Sequence, residues 1–87
     1  MTDSDESLLK FPCDLPVKVF GRNEQAFREA ALTIVRAHYG AEHTITEQPS
    51  KQGSYLSLTI TVWAESRAQI DAMYQDLVAS EQILMVL

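Results

Sequence analysis

Basic residues are scarce in this chain of 87: seven Lys and Arg stand against twelve Asp and Glu, a formal net charge of −5. A nucleic-acid binder must neutralise phosphates, so this balance speaks against nucleic acid as a partner. The basic residues are scattered between Lys10 and Arg67, so no polybasic patch for an anionic membrane surface forms. Cysteine is limited to Cys13, which excludes an internal disulfide and any CxxC or Cys/His ligand spacing. No apolar run approaches the roughly 20 residues needed to cross a bilayer. The first residues are acidic (Asp3, Asp5, Glu6), the opposite of a signal or transit peptide. Together these absences predict a soluble protein of a reducing compartment, most simply the cytoplasm.

The length suits one domain and is too short for two. A domain this small buries only about 60% of the surface of its unfolded chain. A second copy or a partner covering one face would therefore add stability. Residues 1–10 read as a flexible acidic tail, in which Leu8 and Leu9, with Phe11 just beyond, are apolar enough to lie along the flank of a domain spanning 11–87. Pro12 and Pro16 keep the approach extended.

What is present is regular. From Leu56 to Val62 apolar and hydroxyl-bearing residues alternate without a break. Side chains on a strand point to opposite faces in turn, so Leu56, Leu58, Ile60 and Val62 face a core while Ser57, Thr59 and Thr61 face outward. The run is β-branched and free of proline, which suits the middle of a sheet. Leu15–Gly21 reads as the first strand, with Val17 and Val19 on one face and Lys18 and Phe20 on the other, and Gly21 breaking the run. Asn23 is an expected N-cap for a helix from about Glu24 to Tyr39, whose inward stripe is Phe27, Ala30, Ala31, Ile34, Val35 and His38. Glu24 and Arg28 form a favourable pair four residues apart, and Gly40 stops the helix. His43 to about Gln48 is a polar edge strand, and Pro49–Ser54 a hairpin loop. Ser66 and Gln69 give a capping-box pattern for a second helix with the stripe Ile70, Met73, Tyr74, Leu77 and Val78. Ile83–Leu87 closes the chain as a strand apolar on both sides, which calls for cover on both sides. The order strand, helix, strand, strand, helix, strand predicts an α+β, ferredoxin-like βαββαβ sandwich: a four-stranded antiparallel sheet, first and third strands central, two helices on one face.

The fold hosts many functions, so each must be argued from residues. RNA-recognition modules of this strand order need stacking aromatics on the third strand, where this chain has Ser57, Thr59 and Thr61, with Tyr55 and Trp63 only at the ends. Metal-carrying modules place a CxxC before the first helix. Here that loop is Gly21-Arg22-Asn23, and His38, His43 and Cys13 are too dispersed to suggest a site. Cys13 as a nucleophile would need an activating base that spacing does not supply. Acylphosphatases bind phosphate with an Arg before the first helix and position water with an Asn from a later strand. Arg22 and the Phe27-Arg28 pair echo this faintly, but Asn23 is the only Asn in the chain. Glu65, Asp71, Asp76 and Glu81 read as the solvated face and ends of the second helix rather than an acid–base pair. No catalytic residue, metal or cofactor is therefore expected, and the chain reads as a non-enzyme.

Phe11-Pro12 followed by Pro16-Val17-Lys18-Val19-Phe20-Gly21, the block from Pro49 to Thr59 (PSKQGSYLSLT), Tyr74 with Leu77, and the terminal Met85-Val86-Leu87 resemble the YbeD-like family of small bacterial proteins. The resemblance implies a ferredoxin-like domain similar to ACT regulatory domains, which bind small effectors and pair through their sheets. By association it also implies a link to lipoate metabolism. The ligand position of ACT domains falls on Gly21, Arg22 and Asn23. Gly21 would admit a ligand to the backbone and Arg22 would pair with a carboxylate. The alternative is that all three only make a turn and a cap. The expectation is thus a non-catalytic regulatory or binding module for a small anionic metabolite, with a protein–protein adaptor as the other reading. Leu84, Val86, Thr59 and Thr61 are the expected contact residues of a homodimer or of a protein partner.

Overall fold

The computed structural model describes residues 10–87. The readings of a flexible acidic tail and of Leu8 and Leu9 along the flank fall on residues 1–9, outside those described. The elements are β1 (Cys13–Arg22), α1 (Gln25–Tyr39), β2 (His43–Pro49), β3 (Tyr55–Ala64), α2 (Arg67–Ala79) and β4 (Met85–Val86). One antiparallel sheet of order β2-β3-β1-β4 carries both helices on one face. The expected βαββαβ order is what the chain adopts, with β1 and β3 central.

The alternation in β3 decides which face is covered. Leu56, Leu58, Ile60, Val62 and Ala64 are buried, while Ser57, Thr59 and Thr61 on the opposite face are half-buried. Val17 and Val19 from β1 and Phe27, Ala31 and Val35 from α1 complete the core with Met73 and Leu77 from α2 and Ile83 before β4. Gly40 ends α1 at φ +61, where a side chain would be strained, and its N–H reaches the Arg36 carbonyl. Ser66 caps α2 by accepting from the Gln69 N–H at 3.2 Å, and the Gln69 side chain accepts from the Glu65 N–H, one residue before the cap.

Several expectations need correction. β1 begins at Cys13 and runs through Gly21, which does not break it. The reason is steric: a Cβ at Gly21 would lie 2.3 Å from the Phe27 ring, so glycine makes room for the first core residue of α1. Pro16 lies inside a central strand but harmlessly. Lys18 and Phe20 direct their backbone groups to the β4 side, where they meet Leu87 and Leu84. Pro16 is next in that alternate series, beyond the β4 pairing, where its missing N–H has no partner to lose. Asn23 is not the helix cap. Glu24 holds that position without a side-chain bond. Arg28 pairs with Glu47 of β2 at 3.0 Å rather than with Glu24. Tyr74 and Val78 are 43% and 58% exposed, so the buried stripe of α2 is narrower than the sequence suggests. β4 is only two residues long, and Leu84, Met85 and Leu87 are exposed around it.

Candidate functional site

The turn from β1 into α1 brings Gly21, Arg22 and Asn23 together, but Gly21 and Asn23 already have structural work. The Phe27 ring covers the core face of Gly21. Asn23 continues the β1–β3 ladder through its N–H to the Ser54 carbonyl at 3.0 Å. Its side-chain amide donates to the Gly53 carbonyl at 3.0 Å, and its Oδ1 accepts from Arg28 Nη2 at 2.7 Å. Arg28 Nε then donates to Glu47 Oε2 at 3.0 Å. This relay ties the first turn of α1 to both arms of the β2–β3 hairpin. Gly53 sits at φ +80 in that hairpin, and Ser50 closes it by accepting from the Tyr55 N–H and donating its own N–H to the Tyr55 carbonyl. Arg22 is different. It is exposed, paired across the ladder with Tyr55, and so on the sheet face away from the helices.

That open face has two characters. Along β2 and β3 it shows Thr44, Thr46, Ser57, Thr59 and Thr61. At the end where β1 meets β4 it turns apolar. Phe20 pairs with Met85 in register and Arg22 with Tyr55; Met85 is 53% and Tyr55 51% exposed. On the other side of Phe20 from β4, a hollow of about 160 Å³ opens between β1 and the end of the β2–β3 hairpin, lined by Phe20, Tyr55 and Ser57 with Gln48, Pro49 and Ser50. Lys18 and Arg22 are its basic neighbours on β1. The alternation of β1 already put Lys18 and Phe20 on this face. What sequence reasoning missed was that Phe20 stands between Met85 on its β4 side and Tyr55 on its β3 side, residues from three separate parts of the chain.

The four expected contact residues do not form one patch. Thr59 and Thr61 lie on the open face of β3, and Leu84 is exposed just before β4. Val86 is opposite Val19 and packs toward the core, so it contributes to stability. The dispersed metal candidates also stay apart. His38 Nε2 meets Asp76 Oδ2 at 2.7 Å and links α1 to α2, His43 Nδ1 lies 3.1 Å from the Gly40 carbonyl, and Cys13 is half-buried at the start of β1. Among the described residues no three His, Cys, Asp or Glu side chains gather into a metal-binding group, and no helix is long and apolar enough to cross a membrane. At the opposite end of the sheet, Tyr39 brings its hydroxyl into the interior with no hydrogen-bond partner. Burial pushes its phenol above the ordinary value of 10.0, and the Glu65 carboxylate adds to the push.

Comparison with known proteins places this architecture. Residues 6–87 match the family model described as a protein of unknown function, DUF493. A UPF0250 protein of Nitrosomonas europaea is 38% identical over 86 residues, covering 97% of this chain and 99% of its own. A UPF0250 protein of Paraburkholderia phytofirmans is 37% identical over 89 residues, covering all of both chains. The solution structure of protein HP0495 from H. pylori superposes with a TM-score of 0.74 at 12% identity, over 100% of this chain and 93% of that one. At that identity the likeness shows the shared fold alone. The matches along nearly the whole length show that the chain belongs to the DUF493/UPF0250 family of small bacterial proteins, as the YbeD-like resemblance implied.

Proposed function

We propose that this chain is a non-catalytic binding module whose contact surface is the open face of its sheet, and that its partner is a protein. One observation carries the reading: the apolar row of Met85, Phe20 and Tyr55 lies on a face that neither helix covers. Aromatic residues, Met and Arg are the types enriched where proteins meet, and the hollow between Phe20 and Tyr55, whose strand partners are Met85 and Arg22, suits one inserted apolar side chain. Lys18 and Arg22 give this corner a local positive charge on a chain of net charge −5. Complementarity therefore favours a partner segment that is apolar and acidic.

A small anionic metabolite at Gly21, Arg22 and Asn23 draws less support. Phe27 occupies the space over Gly21, the Asn23 amide is engaged at the hairpin, and Arg28 is neutralised by Glu47. That leaves Arg22 as the group an anion would find there. The regulatory role and the link to lipoate metabolism rest on resemblance rather than on a geometric feature. Titration calorimetry against short acyl acids and amino acids separates the two readings. The protein-binding reading predicts no heat; micromolar binding lost on Arg22→Ala would restore the metabolite reading.

A further inference from the structure

Strand β2 is an edge of the sheet, bonded to β3 on one side only. The alternation of ladders shows which backbone groups it leaves outward. Even-numbered residues of β1 turn to β4, as Lys18 and Phe20 do, so odd-numbered ones turn to β3. Carrying the alternation through the register, Thr44, Thr46 and Gln48 of β2 turn to β3, and His43, Ile45 and Glu47 turn outward. The His43 N–H is taken by the Ala41 carbonyl, and Pro49, next in the outward series, has no N–H. The outward ladder is therefore short and has a stop at each end. Between those stops it carries no lysine, which is a common device for keeping edge strands apart.

This edge complements itself. Laid antiparallel against a second copy about a two-fold axis at Ile45, it sets Ile45 opposite Ile45, His43 opposite Glu47, and Thr44 opposite Thr46. Apolar thus meets apolar and hydroxyl meets hydroxyl, pairings that stabilise neighbouring strands, and the imidazole, held through Nδ1 at the Gly40 carbonyl, has Nε2 left for a carboxylate whose Oε2 already accepts from Arg28. The Ile45 pair exchanges N–H and C=O both ways, and each Glu47 N–H meets the His43 carbonyl of the other copy. A register centred on Thr46 instead sets Ile45 against a carboxylate and His43 against Pro49, which has no N–H to give. Beside β2, Leu32, Ile45 and Leu58 line a groove toward α1 whose other walls are Gln25, Arg28, Glu29 and Glu47, so mixed apolar and charged surface adjoins the edge.

We infer that two copies of this chain join through β2, antiparallel about Ile45, into one continuous sheet with all helices on the same face. The contact uses the strand edge and leaves the apolar corner of the open face accessible on both copies.

Light scattering and sedimentation of the full chain test the association, and engineered cysteines test the register. The expected result is a dimer that Met85→Asp leaves intact, which separates this contact from the open-face reading. A monomer at about 1 mM overturns the inference. With Cys13→Ser as background, Thr44→Cys together with Thr46→Cys should give a disulfide-linked dimer on oxidation, because opposed Cα atoms of such a pair lie about 4.5 Å apart. Either cysteine alone should give little. Crosslinking by Thr46→Cys alone, or none by the pair in a protein that is dimeric, overturns the register. Both positions are exposed, and circular dichroism and thermal melting of each variant check the fold.

Discussion

Gly21 is the residue on which the first helix is seated. Its backbone angles are those of an ordinary strand, so only space demands glycine: a methyl group would enter the Phe27 ring. Gly21→Ala should lower stability by about 1–3 kcal/mol in urea unfolding, the usual cost of overpacking. Adding Phe27→Leu should return part of the loss; if Gly21→Ala is neutral, the close approach is not the reason for the glycine. Tyr39 makes the opposite argument. A hydroxyl buried without a partner carries a desolvation penalty, so Tyr39→Phe should gain up to about 1 kcal/mol at neutral pH. The sign of its pH dependence follows from the raised phenol. A folded-state value above 10.0 means that the proton is held more tightly when folded, so this contribution is complete below pH 10 and fades as pH rises through the folded value. The stability difference between Tyr39→Phe and the parent should therefore widen above pH 10, and a constant difference would contradict it.

At the scale of elements, the helices and the hairpin are held by different means. The α2 stripe predicts a sharp division. Met73→Ala and Leu77→Ala should each cost about 2–5 kcal/mol, while Tyr74→Lys and Val78→Lys stay within about 0.5 kcal/mol, read from chemical denaturation. The Asn23–Arg28–Glu47 relay predicts a local effect. Asn23→Ala should cost about 1–2 kcal/mol and speed amide exchange in residues 50–55 more than in α2, and uniform exchange would speak against the relay. These elements also mark what was legible in the sequence. The alternation of residues 56–62 is a local signal, and it placed the central strand, its buried face and the side on which the helices lie. Asn23 satisfied the local signature of a cap, but its partners Gly53 and Ser54 are some thirty residues away, and long-range bonds leave no trace in a short window. Tyr74 and Val78 fit helical spacing, yet a sheet contact only as wide as Met73 and Leu77 leaves them in solvent. The last residues read as a strand needing cover on both faces, while the structure covers one and leaves Leu84, Met85 and Leu87 outside. Arg22 was expected at the functional corner by resemblance; that Phe20 lies between Met85 and Tyr55 appears only once the strand order is known.

Across the whole molecule, the two faces of the sheet divide the labour. One is closed by α1 and α2 over a core without buried charge among the described residues. The other is solvent-facing, hydroxyl-rich along β2 and β3, and apolar with basic neighbours at the β1–β4 end. The central claim is that this corner is where a protein partner sits. A photocrosslinking amino acid placed at Tyr55, in cells, with a matched probe at exposed Gln75 on α2, tests it most directly. The account predicts one discrete adduct to another protein from position 55, lost when Met85→Asp is added, and none from position 75. Adducts from the helix side alone, or an adduct at 55 indifferent to Met85→Asp, would contradict it.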